Sequence, residues 1–254
     1  MDAQMDAQTH RGSSSRLHVE SASGGVCKPM VCHNAGVVDR RVVPLHLSAF
    51  VYPAQHPLEG QRGVAMGYAV DHEDGLVLFD TGIGTGLGDV DAYRPEVHDL
   101  RQSLRDAGFD PAVVRFIVNC HLHFDHCGQN RSFPGVSIVV QSREHEAARA
   151  PGYTVPEWVD FPDARYELVD GERELLPGLL VLPTPGHTLG HQSATLETRE
   201  GLVLFAGQAV QDRAEWDRGF PADAPVEQRA SYERLRALRP IRVFFGHDAV
   251  PWQL

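Results

Sequence analysis

From about residue 42 the chain alternates short apolar runs with segments of helical spacing. Val42 to Val51 and Val64 to Val70 read as strands, and Gly75 to Phe79 as a short buried strand that runs through Asp80 and Thr81 into a glycine-rich turn at Gly82. Val97, Leu100 and Leu104 fall at helical spacing, with Gly108 placed to end that helix. Val114 to Val118 and Val136 to Val140 are further strands, the second followed by a helical patch from Arg143 to Arg149. Residues 150–166, with three prolines and the bulky Tyr153, Trp158 and Phe161, read as loop. Leu179 to Leu182, Gln192 to Leu196 and Leu202 to Phe205 are three short strands, Val226 to Leu238 is an amphipathic helix, and Arg242 to Phe245 is a last strand. Meander-like groups alternate with strand–helix units, and the two halves repeat a similar order. This predicts sheets covered by helices, an α/β architecture.

Length and composition narrow the class. With 254 residues, of which 42% are hydrophobic and 22% charged, the chain suits one large globular domain that needs no disulfide staples. Residues 1–22 are rich in Ser, Gln and Asp and read as a disordered tail, leaving 23–254 as a single domain. No run of 18 apolar residues is present, so no membrane span is expected. A net charge of −11 argues against nucleic acid and anionic membranes as partners. The four cysteines, Cys27, Cys32, Cys120 and Cys127, are too sparse for a disulfide scaffold. Cys27 and Cys32 are close enough to pair or to share a metal, a weak pattern on its own. The N-terminus lacks the apolar centre of a secretory signal, so a reducing cytoplasm is the expected location.

The chemistry concentrates in Asn119-Cys-His-Leu-His-Phe-Asp-His-Cys-Gly128, directly after a buried strand. Residues at i and i+2 of an extended chain face one side, so His121 and His123 can grip one ion, while a turn brings Asp125 and His126 round beside it. Imidazole and carboxylate are the ligands that zinc and similar divalent ions take. Further ligands must come from elsewhere. His187, in Thr184-Pro-Gly-His-Thr-Leu-Gly-His191, and His247, in Phe245-Gly-His-Asp248, each follow an apolar strand. Strand ends converging on one edge are where layered α/β proteins build their sites. Cys127 reads as a small packed residue rather than a partner of His126 in catalysis, and His191 either as a support behind the metal ligands or, the preferred reading, as a polar residue of its turn. Trp158, Phe161, Trp216 and Phe220 lie in loops and are candidates to line a substrate pocket, or else aromatic lids packed on the core.

These segments, with Asp80-Thr-Gly82 and Gly190-His-Gln-Ser193, occur in the order found in the metallo-β-lactamase-fold hydrolases, and the chain resembles their N-acyl-homoserine lactonase group from about residue 42 to 250. The resemblance implies a four-layer αβ/βα sandwich with metal at its edge. It implies that His121, His123 and His187 hold one ion, and that Asp125, His126 and His247 hold a second. Asp80 would orient a ligand, or simply cap the Gly82–Gly84 turn. Zinc, one or two ions per chain, is the expected cofactor, with iron or manganese as alternatives because His and Asp suit all three.

Two positions depart from the family. Where it carries an aspartate bridging both ions, this chain has Gln208, and where lactonases carry a tyrosine three residues later, it has Gln211. Gln208 acting through its amide oxygen is preferred to Asp212 as a stand-in for the bridge. Losing a carboxylate between two divalent ions leaves one positive charge more, which predicts weaker binding of the second ion. The expected reaction is the opening of a lactone or related ester ring, with a small molecule of the homoserine-lactone type as partner. A hydroxide generated at the metal attacks the carbonyl, and Asp125 passes a proton to the leaving oxygen. Two other readings stay open: a single-metal sulfur dioxygenase, and a degenerate metal-binding protein without turnover. Homodimer formation is left open as well.

Overall fold

The computed structural model describes residues 40–86 and 90–254. The expected tail of residues 1–22 and the Cys27 and Cys32 positions lie outside the described residues.

Strands β1 (Arg41–Val51), β2 (Arg62–His72), β3 (Gly75–Phe79), β4 (Glu96–Val97), β5 (Val114–Val118), β6 (Ser137–Gln141) and β7 (Arg165–Val169) form one sheet, in the order β4-β1-β2-β3-β5-β6-β7. Strands β8 (Arg173–Leu176), β9 (Leu179–Pro183), β10 (Gln192–Glu197), β11 (Leu202–Gly207), β12 (Arg242–Phe245) and β13 (Trp252–Gln253) form the other, in the order β13-β12-β11-β10-β9-β8. The first sheet begins as an antiparallel meander and becomes parallel from β3 to β7. The helices are α1 (Leu100–Asp106), α2 (Phe124–Cys127), α3 (Ser142–Ala147), α4 (Pro156–Val159), α5 (Arg213–Arg218) and α6 (Val226–Ala237).

Strand alternation explains why the layers stack as they do. In β3, Val77 and Phe79 join the core between the sheets, while Leu76 and Leu78 join a second core beneath α1. In β11, Val203 and Phe205 enter the same inter-sheet core, while Leu204 and Ala206 face a third core with Trp216 of α5 and Leu235 of α6. Each central strand is thus apolar on both faces, as a sheet covered on both sides requires. The result is the helix–sheet–sheet–helix sandwich expected from the sequence.

Two local differences from the sequence reading have simple causes, and one open alternative is resolved. The stretch read as loop contains α4, which starts at Pro156 with its ring in the first turn, and its last residues begin β7. Val97 belongs to β4, and α1 starts later, where the Asp99 side chain accepts a hydrogen bond from the Gln102 N–H. Trp158 and Phe161, left open between pocket lining and lids on the core, are 0% and 9% exposed and pack into apolar clusters, the second of those roles. Trp216, with Phe220 against it, packs under α6 in the third core. These four aromatics serve the core and do not line the histidine cluster, because large rings in connecting segments here have helices and strand faces to cover.

Candidate metal centre

The site lies where several strands end on one edge. Beyond β5 the chain stays extended through His121 and Leu122, then turns at His123 into the single turn of α2, which carries Asp125 and His126. The loop after β9 brings in His187, the end of β11 brings in Gln208, and the end of β12 brings in His247. Two backbone bonds tie the sheets together at this edge: the Gln192 N–H donates to the Cys120 carbonyl at 2.8 Å, and the Met66 N–H to the Gly246 carbonyl at 2.9 Å.

The six ligand-type residues expected from the sequence meet as two tripods. In the first, one nitrogen each of His121, His123 and His187 lie within 4.8 Å of one another, and the His187 Nε2 to His123 Nδ1 distance is 3.2 Å. In the second, Asp125 Oδ2 lies 3.8 Å from His126 Nε2 and 3.7 Å from His247 Nε2, and the two imidazole nitrogens are 3.3 Å apart. The rings of His121 and His126, one from each tripod, have centroids 4.2 Å apart.

The outer nitrogens fix which atoms face inward. His126 Nδ1 lies 2.9 Å from Asp80 Oδ2, and His247 Nδ1 lies 2.7 Å from the Val64 carbonyl. Both partners only accept, so both Nδ1 atoms carry the proton and both Nε2 lone pairs point into the tripod. Asp80 therefore orients His126. Its other oxygen accepts from the Cys120 backbone N–H at 2.8 Å, so it braces the strand end that carries the histidines and does not cap the Gly82–Gly84 turn. His121 Nε2 is buried with no hydrogen-bond partner. Several inward-facing lone pairs together with an orphaned buried nitrogen suit a cation, so the donor set fits a divalent metal.

Electrostatics agree with that fit. Burial and the neighbouring His123 and His126 push His187 down to about 3, and burial with its imidazole neighbours holds His121 well below its ordinary value. These rings are neutral ligands at pH 7. His126 differs: although burial opposes protonation, Asp125, Asp80 and Gln208 push it up to about 8, so without metal its Nε2 also holds a proton, which an incoming cation must displace.

Gln208 lies at the metal edge, with its backbone N–H donating to His191 Nε2 at 3.0 Å. Its Nε2 donates to Gln211 Oε1 at 3.0 Å, which turns the amide oxygen toward His126. Asp212 is committed elsewhere, its Oδ1 accepting from the Glu215 N–H at the start of α5, so it does not replace the missing carboxylate. His191 is more than a polar turn residue. It is fully buried and links Thr184 Oγ1, 2.8 Å from its Nδ1, to the Gln208 backbone. Cys127 is fully buried and packs as expected.

Two residues to which the sequence reading gave no role in the site brace it. Glu144 of α3, 0% exposed, accepts from the Leu122 N–H between His121 and His123 at 2.8 Å, from Thr188 Oγ1 beside His187 at 2.6 Å, and from the Tyr153 hydroxyl. Cys120 places its thiol 3.0 Å from Asp80 Oδ2, 3.1 Å from His121 Nδ1 and 3.3 Å from His126 Nδ1, so one side chain touches the outer face of both tripods. Beside the second tripod stands an aromatic wall. Phe50 meets His247 edge-on at 6.1 Å and Tyr52 at 5.1 Å, and Tyr93 packs on Phe124 at 4.8 Å.

A layered sandwich with paired donor tripods at one edge of its sheets is the architecture of a metal-dependent hydrolase class. The signature of the Metallo-beta-lactamase superfamily matches residues 61–247, and the chain belongs to that superfamily. It is 34% identical over 201 residues to an N-acyl homoserine lactonase of Bacillus sp, a match covering 71% of this chain and 80% of that protein. With N-acyl homoserine lactonase AttM of Rhizobium johnstonii it shares 29% identity over 218 residues, 73% of this chain and 82% of that one. Its fold superposes with a TM-score of 0.68 on an N-acyl homoserine lactone hydrolase with the product N-hexanoyl-L-homoserine bound at the catalytic metal center. That match has 27% identity and covers 84% of this chain and 94% of that one.

Proposed function

We propose that this chain is a metal-dependent lactonase that hydrolyses the ring ester of N-acyl homoserine lactones or close relatives. The observation that carries the reading is the pair of tripods, His121–His123–His187 and Asp125–His126–His247, side by side at the sandwich edge. The relatives named for lactone hydrolysis, which share this arrangement of elements, support it. Zinc is the proposed ion, since three imidazoles, or two with a carboxylate, form the donor sets it takes, and iron and manganese share that taste. Two buried free thiols, Cys120 and Cys127, support a reducing cytoplasmic location.

Divalent ions bound there would polarise the ester carbonyl and make water a nucleophile at neutral pH. The protein's own residues do the rest. Asp80 and the Val64 carbonyl fix the ring orientation of His126 and His247, and Glu144 holds the two loops of the first tripod in register. As the ring C–O bond breaks, Asp125, a carboxylate that first takes up the proton shed by the attacking water, passes it to the departing oxygen, which becomes the hydroxyl of the N-acyl homoserine product. The half-buried ring of Tyr93, packed on Phe124, offers an apolar edge for an acyl chain.

The test is acid release from N-acyl homoserine lactones, followed by pH-stat, with metal-stripped protein and added zinc, manganese or iron. Metal-dependent, stoichiometric ring opening supports the proposal. Oxygen uptake with a persulfide and no lactone turnover would favour a dioxygenase, and tight metal retention with no turnover of any ester a degenerate binder.

A further inference from the structure

A chain of side-chain amides runs from the second tripod to Tyr52, and its hydrogen-bond polarity has a consequence for substrate binding. Gln208 Nε2 donates to Gln211 Oε1 at 3.0 Å, which leaves its amide oxygen for the metal edge. Gln211 has then spent its oxygen as acceptor, and its Nε2 donates onward to the Tyr52 hydroxyl oxygen at 3.3 Å. A phenol that accepts from an amide keeps its own O–H proton for another acceptor. No acceptor for that proton appears among the hydrogen bonds of the described residues. The order is imposed from the metal side, since an amide facing a cation turns its oxygen inward. Each amide downstream must then point its nitrogen away from the site.

Tyr52 is held for such a task. Its ring is 9% exposed, stacks on His56 with centroids 4.4 Å apart and meets Phe50 edge-on. Its backbone is pinned on both sides, the N–H to the Gln61 carbonyl and the carbonyl by the Gly60 N–H, each at 3.0 Å. Burial, with the field of Asp125 nearby, pushes its hydroxyl up to about 12, so the phenol stays protonated wherever the enzyme works.

We infer that Tyr52 is the side chain that donates a hydrogen bond to the bound lactone, its proton left free for that bond by the amide pair Gln208 and Gln211. Tyr52 touches substrate, and Gln211 is a positioning residue acting through it. The inference rests on the lactonase reading. The reaction gains from a donor aimed at an oxygen on which negative charge grows as the ring opens.

The experiment compares wild type, Tyr52→Phe and Gln211→Glu, reading metal content, kcat and KM for an N-acyl homoserine lactone, and calorimetric affinity of the metal-loaded protein for the ring-opened N-acyl homoserine. Tyr52→Phe removes the donor. Gln211→Glu keeps the phenol but gives it an anionic acceptor that captures its proton, while still accepting from Gln208. Both variants are expected to keep wild-type metal content and to lose about tenfold or more in kcat/KM and in product affinity. An unchanged Tyr52→Phe overturns the inference. So does a Gln211→Glu that behaves as wild type while Tyr52→Phe is impaired, because a packing role for Tyr52 would leave Gln211→Glu untouched. Wild-type protein that opens no lactone overturns the lactonase reading itself, a result distinct from an active wild type with an unchanged Tyr52→Phe.

Discussion

At the scale of single residues, charge decides how the site holds its ions. Gln208 is neutral where a carboxylate would offset the repulsion between two cations, so whichever ion enters second meets more uncompensated charge. Gln208→Asp is expected to raise the affinity for that second ion by about tenfold or more, read as metal retained after dialysis against graded chelator. Glu144 is the opposite case, a buried carboxylate whose partners are all in place. Glu144→Ala leaves the Leu122 N–H and the Thr188 hydroxyl without their acceptor and is expected to cost about 2–4 kcal/mol in urea unfolding, with loss of metal from the first tripod. The metal donors were legible in the sequence because they cluster in one segment and recur after apolar strands. Glu144 was not: within Arg143-Glu-His-Glu146 it looks like any solvent-facing helical acid, and only the fold shows that it alone points inward to 0% exposure.

At the scale of elements, the tight places are where strands hand over to the site. Gly207 ends β11 at φ +60, and a Cβ there would stand 2.5 Å from Cys120 Cβ and 2.9 Å from both Cys120 Sγ and His191 Nε2. Gly207→Ala therefore combines left-handed backbone strain with a clash against two buried groups. It is expected to lower stability by about 2 kcal/mol or more, measured by thermal or urea unfolding, and to displace Gln208. Strand identities were readable because β3 and β11 are uninterrupted apolar runs, β6 has an apolar centre and β5 is broken only by Arg115. The short β4 and β13, at two residues each, carry too little pattern to be seen, and α5 hides because its apolar content is a single Trp216. The four aromatics that the sequence left open between pocket and core share one cause. Ring size predicts burial, but the sequence does not say which of several apolar layers a ring will fill.

At the scale of the whole molecule, the site is a cluster of neutral imidazoles assembled by folding, and acid works against it. His121, His187 and His191 titrate below their ordinary value of 6.5 in the folded chain, each first through burial and then through neighbouring histidines. The unfolded chain therefore binds more protons as pH falls below about 6.5, and the metal-free protein loses stability from there toward about 3. His126 works the other way. With its folded value raised to about 8, it favours the folded state as pH falls below 8, so it offsets part of the loss. The thermal midpoint of chelator-treated protein is expected to fall steadily below pH 6.5. Bound metal should flatten that fall near neutral pH, because protons must displace the ion before they reach the rings.

The metal chemistry depends on two separate tripods that each hold a cation, and calorimetric titration of metal-stripped protein with zinc shows whether they do. Two binding events of unequal affinity are expected in the wild type, with one lost in His187→Ala and one lost in His247→Ala. A single event, or binding that survives both substitutions unchanged, would overturn that assignment.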